Sequence, residues 1–133
     1  MLQIGEVADR VGLSLRTVRY YEEMGLLTPA QRTEGGFRLY TGEEVERLGL
    51  IKQMKPLGFT VQQMRDLLDA RDALRNPATE AATYAAAREQ LQEFSTTADE
   101  SCKQLSRQLE LAQEFAKGLR DETRRLGEKA HRW

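Results

Sequence analysis

The chain has 133 residues, 20 basic and 21 acidic, and 40% of them are hydrophobic. This composition is typical of a globular chain and excludes a strongly basic protein that coats nucleic acid through bulk charge. No stretch approaches the roughly 18 uninterrupted apolar residues of a membrane span, and the N-terminal residues do not resemble a secretory signal. A single cysteine excludes an intrachain disulfide. We therefore expect a cytoplasmic protein that makes no membrane contact.

The sequence divides at Asn76-Pro77. Residues 1–75 contain short patterned segments separated by Gly, Pro and Thr, whereas residues 78–130 contain no Pro and are rich in Ala, Gln, Glu, Leu and Arg. Because the residue before a proline is pushed away from the helical region, a helix should end there. We therefore predict two domains, residues 1–75 and residues 76–133, in a mainly α fold.

Two short helices open the first domain. Apolar residues recur at helical spacing, at Ile4, Val7, Ala8 and Val11. Gly12 is a typical helix stop, and Ser14 can cap a second helix from Leu15 to about Met24. The side chains predicted to face inward are Leu15, Val18 and Tyr21. Two such helices joined by a tight turn form a helix-turn-helix.

A hairpin and two further helices complete this domain. Two short extended runs flank Gly35-Gly36 and predict a small β-hairpin, called a wing when it follows a helix-turn-helix. Thr41 can cap a third helix, with Glu44 completing a capping box, and Thr60 a fourth, with Gln63 in that role. The inward side chains predicted for these two helices are Val45, Leu48, Ile51, Val61, Met64, Leu67 and Leu68.

The second domain is predicted to be one long helix. Small or apolar residues recur along it in steps of three and four, and the alternation is a strict heptad from Cys102 onward. Such a helix over 78–129 would be about 75–80 Å long, too long for the first domain to cover. A second copy of the same helix is the simplest partner. The predicted dimerisation residues are Leu91, Phe94, Cys102, Leu105, Leu109, Ala112, Ala116 and Leu119.

The densest functional signal lies in the second helix and the hairpin. Arg16, Thr17 and Arg19 cannot all face the core, and arginine matches the O6 and N7 atoms of guanine. The helix N-terminus offers backbone amides to a phosphate. The hydroxyl of Tyr20 can also donate a hydrogen bond to a phosphate. Arg38 and Tyr40 share one hairpin face, suited to the DNA backbone. The predicted DNA-contacting residues are Ser14, Arg16, Thr17, Arg19, Tyr20, Arg38, Tyr40 and Lys52.

Each of these residues also has a purely structural interpretation. An arginine-rich helix face is usually a solvated surface, and Tyr21 is better explained as a core aromatic. Arg38 could pair with Glu34 across the hairpin. These alternatives weaken because all the residues fall within one helix-turn-helix and wing.

Five motifs in order resemble the MerR family of bacterial transcription regulators: Ile4-Gly5-Glu6-Val7-Ala8, Thr17-Val18-Arg19-Tyr20-Tyr21-Glu22, Gly25-Leu26-Leu27, Phe37-Arg38-Leu39-Tyr40 and Leu57-Gly58-Phe59-Thr60. The resemblance implies a homodimer joined by an antiparallel coiled coil of the long helix. It implies a pseudo-palindromic promoter site, where the protein bends and untwists the spacer for RNA polymerase or blocks the polymerase. It also matches Arg16, Thr17, Arg19 and Tyr20 to the recognition helix, and Arg38 and Tyr40 to the wing.

The chain departs from metal-sensing members of that family. A thiophilic ion needs at least two converging soft ligands, and the chain offers only Cys102 and His131. We therefore expect no metal and no cofactor, and Cys102 is better explained as a small seam residue than as a redox switch. No separate ligand domain is expected before the chain ends, although a small-molecule effector at the dimer helix stays open.

Two other classes of function compete with a promoter regulator. An architectural or partner-binding coiled-coil protein would use the same long helix but would give the Arg16 and Arg19 face no role. An enzyme is disfavoured because the sequence contains no His-based dyad, zinc-protease motif, nucleophile elbow or phosphate-binding loop.

Overall fold

The computed structural model describes the backbone of residues 1–131 and the side chains of residues 1–129. Its elements, with a 3-10 turn over Lys55–Leu57, are β1 (Leu2–Gln3), α1 (Ile4–Val11), α2 (Leu15–Glu23), β2 (Gln31–Arg32), β3 (Arg38–Tyr40), α3 (Gly42–Met54), α4 (Val61–Arg75) and α5 (Ala81–His131). The mainly α architecture with a small wing and a long C-terminal helix confirms the predicted fold class.

Local side-chain caps explain where most helices begin and end. Gly12 adopts the left-handed conformation (φ 76°) that ends α1 and turns the chain into α2. The Ser14 hydroxyl accepts the Thr17 amide, 3.1 Å away, and so caps α2. Thr60 and Gln63 form the capping box predicted for α4. These signals are local, so they are readable in the sequence.

The predicted capping box of α3 is only half formed. The Thr41 hydroxyl accepts the Glu44 amide, 3.4 Å away, as predicted. The Glu44 carboxylate instead accepts the amide of Thr28, 3.4 Å away, in the loop after α2. The glutamate therefore links that loop to α3, because a non-local donor competes with the cap.

The wing is a three-stranded sheet rather than a two-stranded hairpin. Strands β2 and β3 pair antiparallel, with Gln31 opposite Leu39, which confirms the predicted hairpin. The N-terminal strand β1 adds to the other edge of β3, with Leu2 opposite Tyr40, in the order β1-β3-β2. A two-residue strand carries too little pattern to be read from the sequence.

A small core joins α1, α2, α3, α4 and the sheet. Its fully buried side chains are Val7, Val18, Leu26, Leu27, Tyr40, Leu48, Ile51 and Leu68. Leu15 was predicted to face inward, and this is wrong, since 42% of it is exposed. Val18 and Tyr21 are the residues of α2 that pack into the core. Leu15, at the first position of the helix, lies at the edge of the core.

Contacts divide the chain into a compact unit, Met1–Ser95, and a second unit from Thr96 onward. The predicted first domain stops at residue 75, whereas this unit also includes the start of α5. There Ala87 is buried, and the ring of Phe94 lies 5.9 Å from the ring of Phe59. Within the described residues, no helix is long and apolar enough to cross a membrane.

Candidate nucleic-acid interface

One face of α2 presents charged and aromatic groups to solvent. Arg16, Arg19, Tyr20 and Glu23 line a shallow depression on this face. Both arginines are exposed, and in the described part of the chain neither guanidinium has a hydrogen bond or an ion pair. Tyr20 is 45% exposed, and its ring packs 5.5 Å from that of buried Tyr21. The predicted recognition residues therefore lie together and are free to contact a ligand.

The start of this helix is held by two hydroxyls. The Ser14 hydroxyl donates to the Thr17 hydroxyl, 2.9 Å away, in addition to accepting the Thr17 amide. Both residues were predicted to contact DNA. Because their hydroxyls cap the helix, they hold its first turn in place, and any contact with a phosphate adds to that structural role.

Glu22, on the flank of α2 next to buried Val18, joins the helix to the wing. One carboxylate oxygen lies 2.7 Å from Nε of Arg38, and the other accepts the hydroxyl of Tyr40 at 2.6 Å. The Nε–H does not point along the short contact with the carboxylate, so the Arg38 contact is an ion pair rather than an aligned hydrogen bond. The side chain of Glu22 is only 13% exposed. We call these three residues the Glu22 hub.

The hub corrects the role predicted for Tyr40. The side chain was predicted to grip the DNA backbone, but it is fully buried and its hydroxyl is used by Glu22. Burial, and then the hydrogen bond to Glu22, raise the pKa of Tyr40 above its ordinary range. Tyr40 and Arg38 do share one face of β3, as predicted, yet this face points toward Glu22. Tyr40 is therefore a core residue that positions the wing.

Arg38 is one-third exposed and its partner is Glu22, not Glu34, so the alternative cross-hairpin pair is also wrong. The tip of the wing exposes other groups. Phe37 is 63% exposed. Thr33 closes the turn, because its hydroxyl accepts the Phe37 amide at 3.1 Å. The exposed Arg32 extends along the same turn, with its guanidinium 3.5 Å from the Gly36 carbonyl.

Two arginines from other helices hold the far end of α2. The guanidinium of Arg65 donates to the carbonyl of Met24, and Nε of Arg47 donates to the carbonyl of Leu26, 2.9 Å away. Arg47 also binds both carboxylate oxygens of Asp72, at 2.8 and 2.9 Å. Cations at a helix C-terminus satisfy its free carbonyls and oppose its dipole. The guanidinium of Arg47 is therefore engaged with protein groups at this end of the helix.

Lys52 stabilises the turn between α1 and α2. Its ammonium donates to the carbonyl of Val11 at 2.7 Å and packs close to Gly12, where a Cβ would lie 2.9 Å from Nζ. The side chain is otherwise exposed, and an ammonium has three donors, so contact with a phosphate stays a prediction. Lys55, one turn further on, is also exposed.

Sequence reasoning missed the Glu22 hub and the arginines at the end of α2. A signal for Glu22 was present, because it stands four residues after Val18 and so lies on the inward face of α2. A carboxylate at such a position needs partners. Nothing local indicates that Arg65 reaches the carbonyl of Met24, which lies 41 positions earlier.

The second unit exposes an apolar stripe. Several residues that the heptad pattern places on the seam are open to solvent: Leu105 (41%), Leu109 (57%), Leu119 (48%) and Leu126 (59%). Cys102 and Ala112 are exposed as well, and Ala116 is half-buried. Leu91 and Phe94, also predicted to dimerise, are half-buried within the first unit, where Phe94 meets Phe59.

No group of three or more His, Cys, Asp or Glu side chains that could hold a metal ion occurs among the residues that the structure describes. Cys102 is a free, exposed thiol. The side chain of His131, the other soft ligand in the sequence, lies outside the described residues.

A rigid α2 with a free Arg16, Arg19 and Tyr20 face, flanked by a wing, defines a winged helix-turn-helix protein. Residues 2–71 match the family model described as MerR HTH family regulatory protein, and residues 45–111 match the model described as MerR, DNA binding. The chain belongs to the MerR family.

Known proteins agree with this assignment. The chain is 46% identical over 70 residues to the mercuric resistance operon regulatory protein of Bacillus cereus, a match that covers 53% of each protein. The chain thus spans about half the length of this curated relative. A MerR family transcriptional regulator of Listeria monocytogenes is 25% identical, with a TM-score of 0.66 over 83% of this chain and 79% of the other.

A third comparison concerns the fold alone. A solved MerR family regulator that lacks the sensor domain and is bound to promoter DNA superimposes with a TM-score of 0.64 at 22% identity. The match covers 94% of each chain. The fold of that regulator is therefore shared by this chain over most of its length.

Proposed function

We propose that the chain is a sequence-specific DNA-binding transcription regulator that acts as a homodimer. One observation carries this proposal: α2 holds two free arginines and a half-exposed tyrosine on one face, while its opposite face and both ends are anchored. A recognition helix needs this combination, because base readout requires donors that are unpaired but held in place.

In this proposal α2 enters the major groove. Arg16 and Arg19 donate to base edges, guanine O6 and N7 above all, and Tyr20 donates to a phosphate. The wing lies beside the groove and offers Arg32 and Phe37, while the Glu22 hub sets its distance from α2. Residues 1–75 carry no net charge, so attraction to DNA comes from this local cluster of basic side chains.

Two copies meet through α5 in an antiparallel coiled coil and bind a pseudo-palindromic promoter site. The bound dimer controls RNA polymerase by bending and untwisting the promoter spacer or by blocking the polymerase. Family membership supports this arrangement, as does the shared fold with a regulator that is bound to promoter DNA. The exposed apolar stripe of α5 supports the dimer.

The same proposal places the protein in the bacterial cytoplasm, where the chromosome lies, and gives it no enzymatic role or cofactor. We assign no metal to it, because a thiophilic ion needs at least two converging soft ligands and the chain contains one cysteine. A small-molecule effector would then act through the dimer helix.

The test is selection of bound sequences from random duplex DNA with the purified full chain. We expect enrichment of a motif with two-fold symmetry. The Arg16→Glu/Arg19→Glu double variant should lose this enrichment, whereas reversal of one cation on the outward face of α5, Arg107→Glu, should retain it. A dimeric wild type that enriches no sequence would favour the architectural, partner-binding alternative instead.

A further inference from the structure

Glu23, the last residue of α2, places a carboxylate on the helix face that carries the free arginines. It lines the same shallow depression as Arg16, Arg19 and Tyr20. The four residues follow one another at the spacing i, i+3, i+4 and i+7, so they form a single stripe along the helix. A duplex that both guanidinium groups reach therefore lies alongside the carboxylate of Glu23.

The carboxylate of Glu23 has no partner in the described part of the protein. The residue is exposed, and among the side chains that the structure describes it forms no hydrogen bond and no ion pair. The two arginines at this end of the helix, Arg65 and Arg47, bind the carbonyls of Met24 and Leu26 instead. Because a helix C-terminus carries a partial negative charge, an unpaired carboxylate there does not stabilise the fold.

The backbone around Glu23 is held in place. The Leu26 amide donates to the carbonyl of Tyr21 at 3.0 Å, and the two arginines described above satisfy further carbonyls at the end of α2. Helix ends that lack such contacts fray. The position of Glu23 relative to Arg16 and Arg19 is therefore fixed, so its carboxylate meets a bound duplex at a defined place.

A carboxylate beside DNA is selective because it only accepts hydrogen bonds. Phosphate groups repel it, so it does not bind the DNA backbone. In the major groove guanine offers two acceptors and thymine one, and adenine places the acceptor N7 beside its amino group. Cytosine offers the donor of its 4-amino group alone. A free carboxylate on a recognition helix therefore matches cytosine best.

We propose that Glu23 is a specificity-determining residue, whose carboxylate accepts a hydrogen bond from the 4-amino group of a cytosine in the major groove. This inference rests on the proposed function and deepens it by naming one base of the site. Four residues of α2 span about 6 Å, and base pairs are about 3.4 Å apart. The cytosine therefore lies within about two base pairs of the base that Arg19 contacts.

Selection of bound sequences from random duplex DNA tests this assignment with the full chain. We expect the wild-type motif to require cytosine at one position of each half-site. Glu23→Gln should shift the preference there to adenine, because an amide can bond both N6 and N7, and should leave the other positions unchanged. Glu89→Gln, which removes the same charge from an exposed site on α5, is the matched control and should keep the wild-type motif.

A modified duplex tests the hydrogen bond itself. The cytosine is replaced by an analogue that lacks the 4-amino group, and binding is titrated at one salt concentration. The wild type should bind this duplex at least about fivefold more weakly than the natural one, whereas Glu23→Ala should bind the two within about twofold. Equal losses for the two proteins would overturn the inference, because the amino group would then act through base pairing alone.

Two results of the selection would also overturn the role of Glu23. Glu23→Gln could keep the wild-type motif at unchanged affinity, or it could bind every sequence more tightly by one common factor, as expected if the carboxylate only repels phosphates. A symmetric wild-type motif in either case would leave the proposed regulator standing. A wild type that enriches no motif would instead sink the proposed function, and this inference with it.

Discussion

The two units of the chain are stabilised in different ways. The first unit is held by its own side chains, with capped helices, the Glu22 hub and two arginines on the carbonyls of Met24 and Leu26 at the end of α2. The second unit is a single helix with large apolar side chains left open, including Leu109, Leu119 and Leu126. Isolated helices gain little from propensity alone, so most of their stability comes from packing. The stability of the first unit should therefore be independent of protein concentration, whereas the stability of the second unit should rise with protein concentration.

The largest effect should come from a charge in the seam. Leu109→Glu places an unpaired carboxylate in the exposed apolar stripe of α5, and we expect a loss of at least ~3 kcal/mol, or more than 100-fold, in dimer affinity. Sedimentation measures this. Leu111→Glu is the matched control, since Leu111 is 66% exposed and lies off the heptad seam. A Leu109→Glu protein that stays dimeric would refute the seam.

The next effect should fall on the first unit alone. Glu22→Gln removes the charge that Arg38 and Tyr40 share, and leaves a part-buried guanidinium without its counter-ion. We expect the free energy of unfolding to fall by about 1–3 kcal/mol, measured with urea. The neighbouring Glu23 is exposed, so Glu23→Gln should change stability by no more than about 0.5 kcal/mol. Equal effects of the two variants would show that the hub contributes nothing.

The contribution of Arg19 to base preference should be separable from its contribution to the stability of the fold. Arg19→Ala should weaken specific DNA binding by about 1–3 kcal/mol and relax the preference at one position of the site. Because its guanidinium has no partner within the described residues, the unfolding midpoint should stay the same. Titration of matched and mismatched duplexes at one salt concentration measures the preference. An unchanged preference would count against contact with a base.

The smallest effect concerns alkaline pH. Burial, and then the hydrogen bond to Glu22, raise the pKa of Tyr40, and burial also raises the pKa of Tyr21. The stability linked to each hydroxyl is fully present below about pH 10 and is lost as the pH rises through the raised pKa. Urea midpoints measured from pH 8 to 11 should fall, and Tyr40→Phe should make the decline shallower. An identical slope in this variant would contradict the linkage.

Much of the first unit was accessible from the sequence because its signals are local. Ser14, Thr60 and Gly12 act within four residues of their own position, and helix periodicity placed Val18 and Tyr21 inward. The family motifs lie in the same stretch. The exposed face of α2 follows from the same periodicity, so Arg16 and Arg19 were placed correctly on the open surface.

Errors occurred where a distant partner decides a side chain's role. Tyr40 and Arg38 have polar ends that suit DNA equally well, and only the approach of Glu22, 18 positions before Tyr40, turns them inward. The Glu44 carboxylate binds the amide of Thr28 instead of completing its capping box, and β1 pairs with β3, where Leu2 lies opposite Tyr40, 38 positions later. No local pattern reports such pairings.

The sequence by itself determined the helices, most of their caps, the apolar stripe of α5 and the exposed position of Arg16 and Arg19, because each depends on spacing along a few turns. Only the tertiary structure decided which polar side chains of the first unit bind one another. Burial makes an unpaired charge costly, so a charged side chain turns toward the partner that the fold brings near it. For the wing this means that Tyr40 supports the site, while Arg32 and Phe37 are left to face outward.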